Sequence, residues 1–217
     1  NIAHQWRQPL ITLGNIVLKL EAAKMFEKEI KQEDLTSYTK QIKTTVRFMS
    51  ETINTFQDFY QLENTNVVEF DIDKPIKDIL NMLSGRFDNF FIDLDISNLK
   101  SLKLKGIPSE LSHAILILCE NIIEIVESKH IQDAKVIISS DIVDENIIIS
   151  IEDNIKGIDK KIINKIFEPY VTSKNGKSSS GIGLYIAKSI IENKMSGTIN
   201  AKNTEIGALF QITIPAK

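Results

Sequence analysis

Two groups of residues in this chain have the types and spacing for chemistry. The first opens it: Asn1-Ile-Ala-His-Gln-Trp-Arg-Gln-Pro-Leu10 sets a histidine just ahead of a proline. Trp6, Leu10, Leu13, Val17 and Leu20 recur every three or four residues, the apolar stripe of a helix that packs against partner helices. At ~100° per residue, His4 falls roughly opposite that stripe and is expected at solvent, with Gln8 one turn further on. Pro9 has no N–H, so the Gln5 carbonyl loses its helical partner and a local kink is expected just past the histidine. A histidine on a helix exterior is usually just solvated. Beside a kink it reads as a reactive group being presented, and the rest of the chain must say to what.

The second group is spread along the C-terminal part. In Cys119-Glu-Asn-Ile-Ile123 an asparagine interrupts an apolar helical run. An amide there is costly to bury unless it is used, and its oxygen suits Mg²⁺, which takes oxygen ligands and keeps waters and phosphates as the others. Read without that metal, Asn121 is a helix-surface residue. In Ser150-Ile-Glu-Asp-Asn-Ile-Lys-Gly-Ile158 a strand runs into an acidic turn. Asp153, fixed at the strand end, can accept the exocyclic amino group of adenine, although such turns are commonly structural. Ile166-Phe-Glu-Pro-Tyr-Val-Thr-Ser-Lys174 places two aromatics and a proline at the hinge of a polar loop ending in lysine, which reads as a lid over phosphates. In Ser180-Gly-Ile-Gly-Leu-Tyr-Ile-Ala-Lys188 small residues open a helix, whose free N–H groups and dipole make an anion site.

The elements that must hold these residues follow from periodicity. Residues 1 to about 63 read as two helices joined by the charged stretch Glu27 to Glu33, the second carrying Leu35, Tyr38, Ile42, Val46, Met49, Ile53, Phe56 and Tyr60. A short connection makes them antiparallel neighbours. One hairpin cannot bury both stripes, so two copies pairing as a four-helix bundle are expected. Beyond Asn66 the pattern alternates over Val67–Ile72, turns helical from Asp73 to about Leu83, and alternates again over Phe91–Ile96 and Leu102–Lys105. Ser109 is expected to cap a long helix reaching Val126. Ala134–Ser140 and Asn146–Ile151 read as a hairpin, Asp159–Ile166 as a short helix and Gly181–Asn193 as another. A hairpin of Thr198–Lys202 and Ala208–Ile214 closes the chain. Strands and helices mix without strict alternation, which indicates an α+β two-layer sandwich, one sheet covered by helices.

Composition bounds the partners. The 217 residues are 42% hydrophobic and 25% charged, in the ordinary globular range. A net charge of −3 gives no general attraction to nucleic acid or an anionic membrane. Cys119 alone cannot form an intramolecular disulfide and is expected to be a small buried hydrophobe. His113 and His130 lack metal-ligand spacing. No apolar run is long enough to span a bilayer. The chain opens in mid-helix without a methionine or cap, and reads as a cytoplasmic fragment with any sensory segment or inner-membrane anchor upstream.

Taken in order, the exposed-histidine helix, the Asn121 helix, the Asp153 turn, the Ile166-Phe-Glu-Pro segment and the Gly-x-Gly helix start resemble the sensor histidine kinases of two-component systems. The resemblance covers almost the whole chain. It implies a dimerisation and phosphoacceptor hairpin over 1–64, paired as a dimeric four-helix bundle, and an ATP-binding sandwich of GHKL ATPase type over 67–217. It also implies that His4 is the phosphoacceptor, with Gln8 orienting a water for dephosphorylation of the partner. Asn121 would hold Mg²⁺ and Asp153 would contact adenine. Gly157, Lys174, Gly181, Gly183 and Leu184 would complete the ATP site, with Gly181 and Gly183 lining the phosphates. The expected partners are a second copy and the receiver domain of a response regulator.

The sequence departs from that pattern in four places. Gln5 follows His4 where the family usually has an acid. Ile117 stands one turn before Asn121 where a polar residue is usual. Ile155 and Ser179 replace glycines, and a Cβ at either could crowd the nucleotide or restrict φ. These departures keep a rival reading open: a degenerate, non-catalytic homologue that dimerises and docks a regulator. A stand-alone GHKL ATPase is the third reading, disfavoured by the His4 hairpin.

Overall fold

The computed structural model describes residues 2–26, 30–43, 45–46, 66–171 and 181–216, with the backbone alone for 2–9. The chain divides into two compact units, Asn1–Gln61 and Leu62–Lys217.

In the first unit, helix α1 (Ile2–Met25) runs across Pro9 without interruption, and α2 (residues 32–43) follows it. The Lys19 ammonium lies 5.7 Å from the centre of the Tyr38 ring, so the two helices pack side by side. Burial divides the apolar residues of α1 into two faces. Leu13, Ile16 and Leu20 form the covered one, with Ile16 fully buried. Leu10, Ile11, Val17, Leu18 and Met25 remain exposed. The single stripe expected from sequence is therefore split: Leu13 and Leu20 belong to the covered face, and Leu10 and Val17 to the exposed one.

The second unit is a two-layer sandwich. Its main sheet has the order β2 (Asp93–Asp95), β4 (Lys135–Val143), β5 (Asn146–Asp153), β7 (Ala208–Pro215), β6 (Thr198–Asn203). Only the β2–β4 pair is parallel. A separate antiparallel pair joins β1 (Val68–Asp71) to β3 (Lys103–Gly106). Alternate residues of the central strands, among them Val136, Ile138, Ile147, Ile149, Ile151, Phe210 and Ile212, are buried. They form the core with the apolar face of α4 (Pro108–Lys129), which is fully buried at Leu111, Ile115, Leu118 and Cys119. Each such side chain contributes ~1.5–3 kcal/mol relative to exposure. Burial pushes the Cys119 thiol up to about 12, so it stays protonated and inert. α4 is flanked by α3 (Asp73–Asn89) and α5 (Gly183–Asn193).

Several boundaries differ from the sequence reading. α3 continues past Gly85 because Phe87 is buried in its last turn and Arg86 pairs with Glu120 on α4. α4 starts at Pro108 rather than being capped by Ser109, since proline at the first position needs no N–H partner. Its last turn ends at His130 in the left-handed region, φ 50°. The stretch 159–166 holds only a 3₁₀ turn, Ile163–Lys165, because the Asp159 carboxylate takes the Lys161 N–H and tightens the chain into turns. α5 begins at Gly183, and Gly181 lies outside it.

Candidate functional site

The alternation of β5 buries Ile147, Ile149 and Ile151 and then, at the next inward position, Asp153, which is 5% exposed. Its Oδ1 accepts the backbone N–H of Ile155 at 2.7 Å and of Ala208 at 3.2 Å. Burial raises the carboxyl above the usual range, and the two N–H donors pull part of the way back. With Oδ1 committed, Oδ2 is the oxygen left to receive a donor from a ligand. The result is a desolvated carboxylate of fixed orientation, suited to reading one hydrogen-bond donor.

The turn after Asp153 explains how Ile155 fits. Left-handed backbone is adopted at Lys156 (φ 41°) and Gly157 (φ 65°), and not at Ile155. Ile155 itself is buried at 4% exposure. Its Cβ therefore imposes no φ strain, and the restriction anticipated for a lost glycine does not arise. Gly157 cannot be replaced so freely, because a Cβ there would lie 2.6 Å from the Asn203 Oδ1. The tip of the β6–β7 hairpin presses on the same turn. A Cβ on Gly207 would overlap the Asp153 carbonyl oxygen.

Asn121 and Ile117 share a face of α4 and are both half-buried. A Cβ on Gly183 would stand 3.3 Å from the Ile117 Cγ2, so the first turn of α5 abuts α4 at this point. Upstream of α5, the Tyr170 N–H donates to the Gly181 carbonyl at 2.9 Å. Gly181 takes φ 68°, and any Cβ on it would come within 2.8 Å of the Tyr170 backbone. Only glycine closes this neck. Phe167 anchors the preceding stretch, its ring edge-on to Phe210 at 6.4 Å with the Lys188 ammonium 6.0 Å from its centre.

The structure thus joins Asp153 and Gly157 to the β6–β7 tip, and joins Gly183 to the face of α4 that carries Asn121. Leu184 is half-buried in the first turn of α5. Lys174 and Ser179 lie outside the described residues, as do the side chains of His4, Gln5, Trp6 and Gln8. Sequence reasoning missed Asn203, Gly207 and Ala208. They are contributed by a hairpin about fifty residues away, and the signal for them was the pair of strands converging on one glycine-bearing turn. Among the described residues no group of three or more His, Cys, Asp or Glu side chains could hold a metal. Asn121, a single hard oxygen, fits a Mg²⁺ ion whose other ligands are phosphates and water.

The chain belongs to the family of histidine kinase-, DNA gyrase B- and HSP90-like ATPases, which matches residues 106–217. Within that family its fold is of the histidine-kinase type, helices followed by a GHKL sandwich, and the matched domain is of the ATP-binding kind. A putative NtrY-like sensor histidine kinase of Rickettsia conorii is 24% identical over 218 residues, covering 100% of this chain and 35% of the relative. The Acinetobacter baumannii histidine kinase AdeS superposes with a TM-score of 0.60 at 20% identity, covering 99% of this chain and 98% of that one. The histidine kinase ThkA, solved in complex with the response regulator TrrA, gives 0.60 at 20% identity, covering 100% of this chain and 60% of that one. The chain spans about a third of the length of the curated relative.

Proposed function

We propose that the chain is the catalytic core of a sensor histidine kinase in two-component signalling, with residues 1–64 as dimerisation and phosphoacceptor domain and 67–217 as ATP-binding domain. The observation that carries this reading is Asp153, a buried carboxylate with one oxygen fixed by two backbone N–H groups and one left over. In this role its Oδ2 accepts the adenine amino group. Asn121 supplies an oxygen to Mg²⁺, which neutralises phosphate charge when bound. The N–H groups at Gly183 and Leu184, at the positive end of α5, face the phosphates, with Gly181 and Lys174 beside them. A His4 nitrogen attacks the γ-phosphorus, the bond to the ADP oxygen breaks, and the imidazole proton leaves to solvent. The phosphoryl group then passes to an aspartate on a response-regulator receiver domain, where Gln8 orients water for its later hydrolysis. The protein supplies position and charge rather than covalent chemistry.

Two copies of the hairpin make the phosphoacceptor bundle. Leu18 is 62% and Met25 80% exposed on α1, an apolar face that a partner hairpin would cover.

The non-catalytic scaffold reading rests on Ile117, which gives α4 one ligand atom where two polar groups are usual. Incubation with γ-labelled ATP and Mg²⁺ separates the two. The kinase reading expects acid-labile label on the protein, lost in His4→Ala while ATP binding persists. Equal labelling of wild type and variant removes His4 from the mechanism, and no labelling of either leaves the scaffold.

A further inference from the structure

Among the described residues, the turn that carries Asp153 has no strand partner beyond Gly157, yet its next residue is held on both polar groups by one side chain. The Asn203 Oδ1 accepts the Ile158 N–H at 2.6 Å, and its Nδ2 donates to the Ile158 carbonyl at 2.8 Å. An amide is the side chain that offers an acceptor and a donor at once, as a neighbouring strand would. Asn203 is also the last residue of β6, and the tip beyond it is closed on itself. The Thr204 N–H donates to the Gly207 carbonyl at 2.9 Å, and the Gly207 N–H to the Thr204 Oγ1 at 3.1 Å. From the same tip, Gly207 packs on the Asp153 carbonyl and the Ala208 N–H reaches the Asp153 Oδ1. The turn is therefore gripped at both ends by one hairpin: Asp153 by Gly207 and Ala208, Ile158 by Asn203. Between the grips lie Lys156 and Gly157 in left-handed conformations, which a free chain would abandon for Lys156.

We infer that Asn203 is a positioning residue for nucleotide recognition, holding the Asp153–Ile158 turn in the shape that lets Asp153 read adenine. The inference rests on the nucleotide reading of the site. In this role Asn203 acts through the backbone of Ile158. Its loss frees the far end of the turn, lets Lys156 relax, and releases the Ile155 N–H from Asp153. The carboxylate then no longer presents one oxygen in one direction. Affinity for the base falls, while the phosphate contacts at α5 are untouched.

The test is Asn203→Ala together with Asn203→Asp, which keeps the acceptor for Ile158 N–H and lacks the donor. MgATP and MgGTP affinities are measured by calorimetry, and amide hydrogen exchange is followed in the nucleotide-free protein. The expected result for Asn203→Ala is an ATP affinity lower by about tenfold or more, GTP affinity unchanged, and a compressed ATP/GTP ratio, with Asn203→Asp in between. The Ile155 and Ile158 amides should exchange faster by a similar factor, while Ile149 and Ile151 in the middle of β5 keep their protection. A general loss of stability would speed all four amides and leave the ATP/GTP ratio alone, and that outcome overturns the inference. So does an unchanged Ile155 amide. A wild-type protein that binds neither nucleotide overturns the nucleotide reading itself, and is distinguished from failure of the clamp by its wild-type baseline.

Discussion

Asp153 occupies a position that the alternation of β5 reserves for an apolar side chain, and its acid is weakened by burial. Its folded pKa lies above the ordinary value of 3.8, so between the two the folded chain holds a proton that the unfolded chain has released. Stability from this group therefore falls as pH rises through that window. ATP affinity should move the opposite way, falling as acid protonates the carboxylate and removes the acceptor. Asp153→Asn separates the two effects. Its amide oxygen can still take the Ile155 and Ala208 N–H groups, but an NH₂ then faces the adenine NH₂. We expect the variant, without nucleotide, to melt no lower than wild type at pH 7, and to bind ATP at least about tenfold more weakly, or 1.4 kcal/mol. Calorimetry and thermal melts check both, and undiminished ATP affinity would remove Asp153 from base recognition.

Among the elements, the contact of α4 with the first turn of α5 is a place where a departure from the family pattern has a structural partner. Ile117 fills the space beside Gly183, and a Cβ there would sit 3.3 Å from its Cγ2. Gly183→Ala should thus shift the start of α5 and weaken ATP binding, and Ile117→Ala in the same chain should restore it. A double-mutant cycle with no coupling would show that the two residues do not share that space. The elements themselves were largely legible in the sequence, because amphipathic periodicity marks α4 and α5, and alternation marks β4, β5 and β7. The errors have local causes. The sequence reading ended α3 at about Leu83, whereas Phe87 and Arg86 carry it past Gly85. The run from Asp159 to Ile166 has helical spacing, but the Asp159 side chain diverts the backbone. Asp153, Gly157 and Gly183 stood out as candidates from their motifs. Asn203 was not, since its bond to Ile158 crosses 45 residues and leaves no periodic trace.

On the scale of the whole molecule, the exposed face of α1 carries the proposal that two copies pair. Ile11, Leu18 and Met25 recur at seven-residue intervals and are 45%, 62% and 80% exposed. Sedimentation should find a dimer, and Leu18→Lys with Val17→Lys should yield a monomer of unchanged ATP affinity. A wild-type monomer at micromolar concentration would rule out the bundle. The bond from Ala208 to Asp153 has a different kind of consequence, in the time order of folding. It links residues 55 apart, whereas β4–β5 and β6–β7 are local hairpins. Closing the long loop between β5 and β7 carries the larger entropic cost, so the hairpins can form before the sheet does. Until β7 docks on β5, Asp153 has lost neither its water nor its freedom to rotate, and the proposed adenine contact has no fixed carboxylate. ATP should therefore slow unfolding and leave the refolding rate in stopped-flow traces unchanged, which makes the nucleotide a ligand of the last folding step.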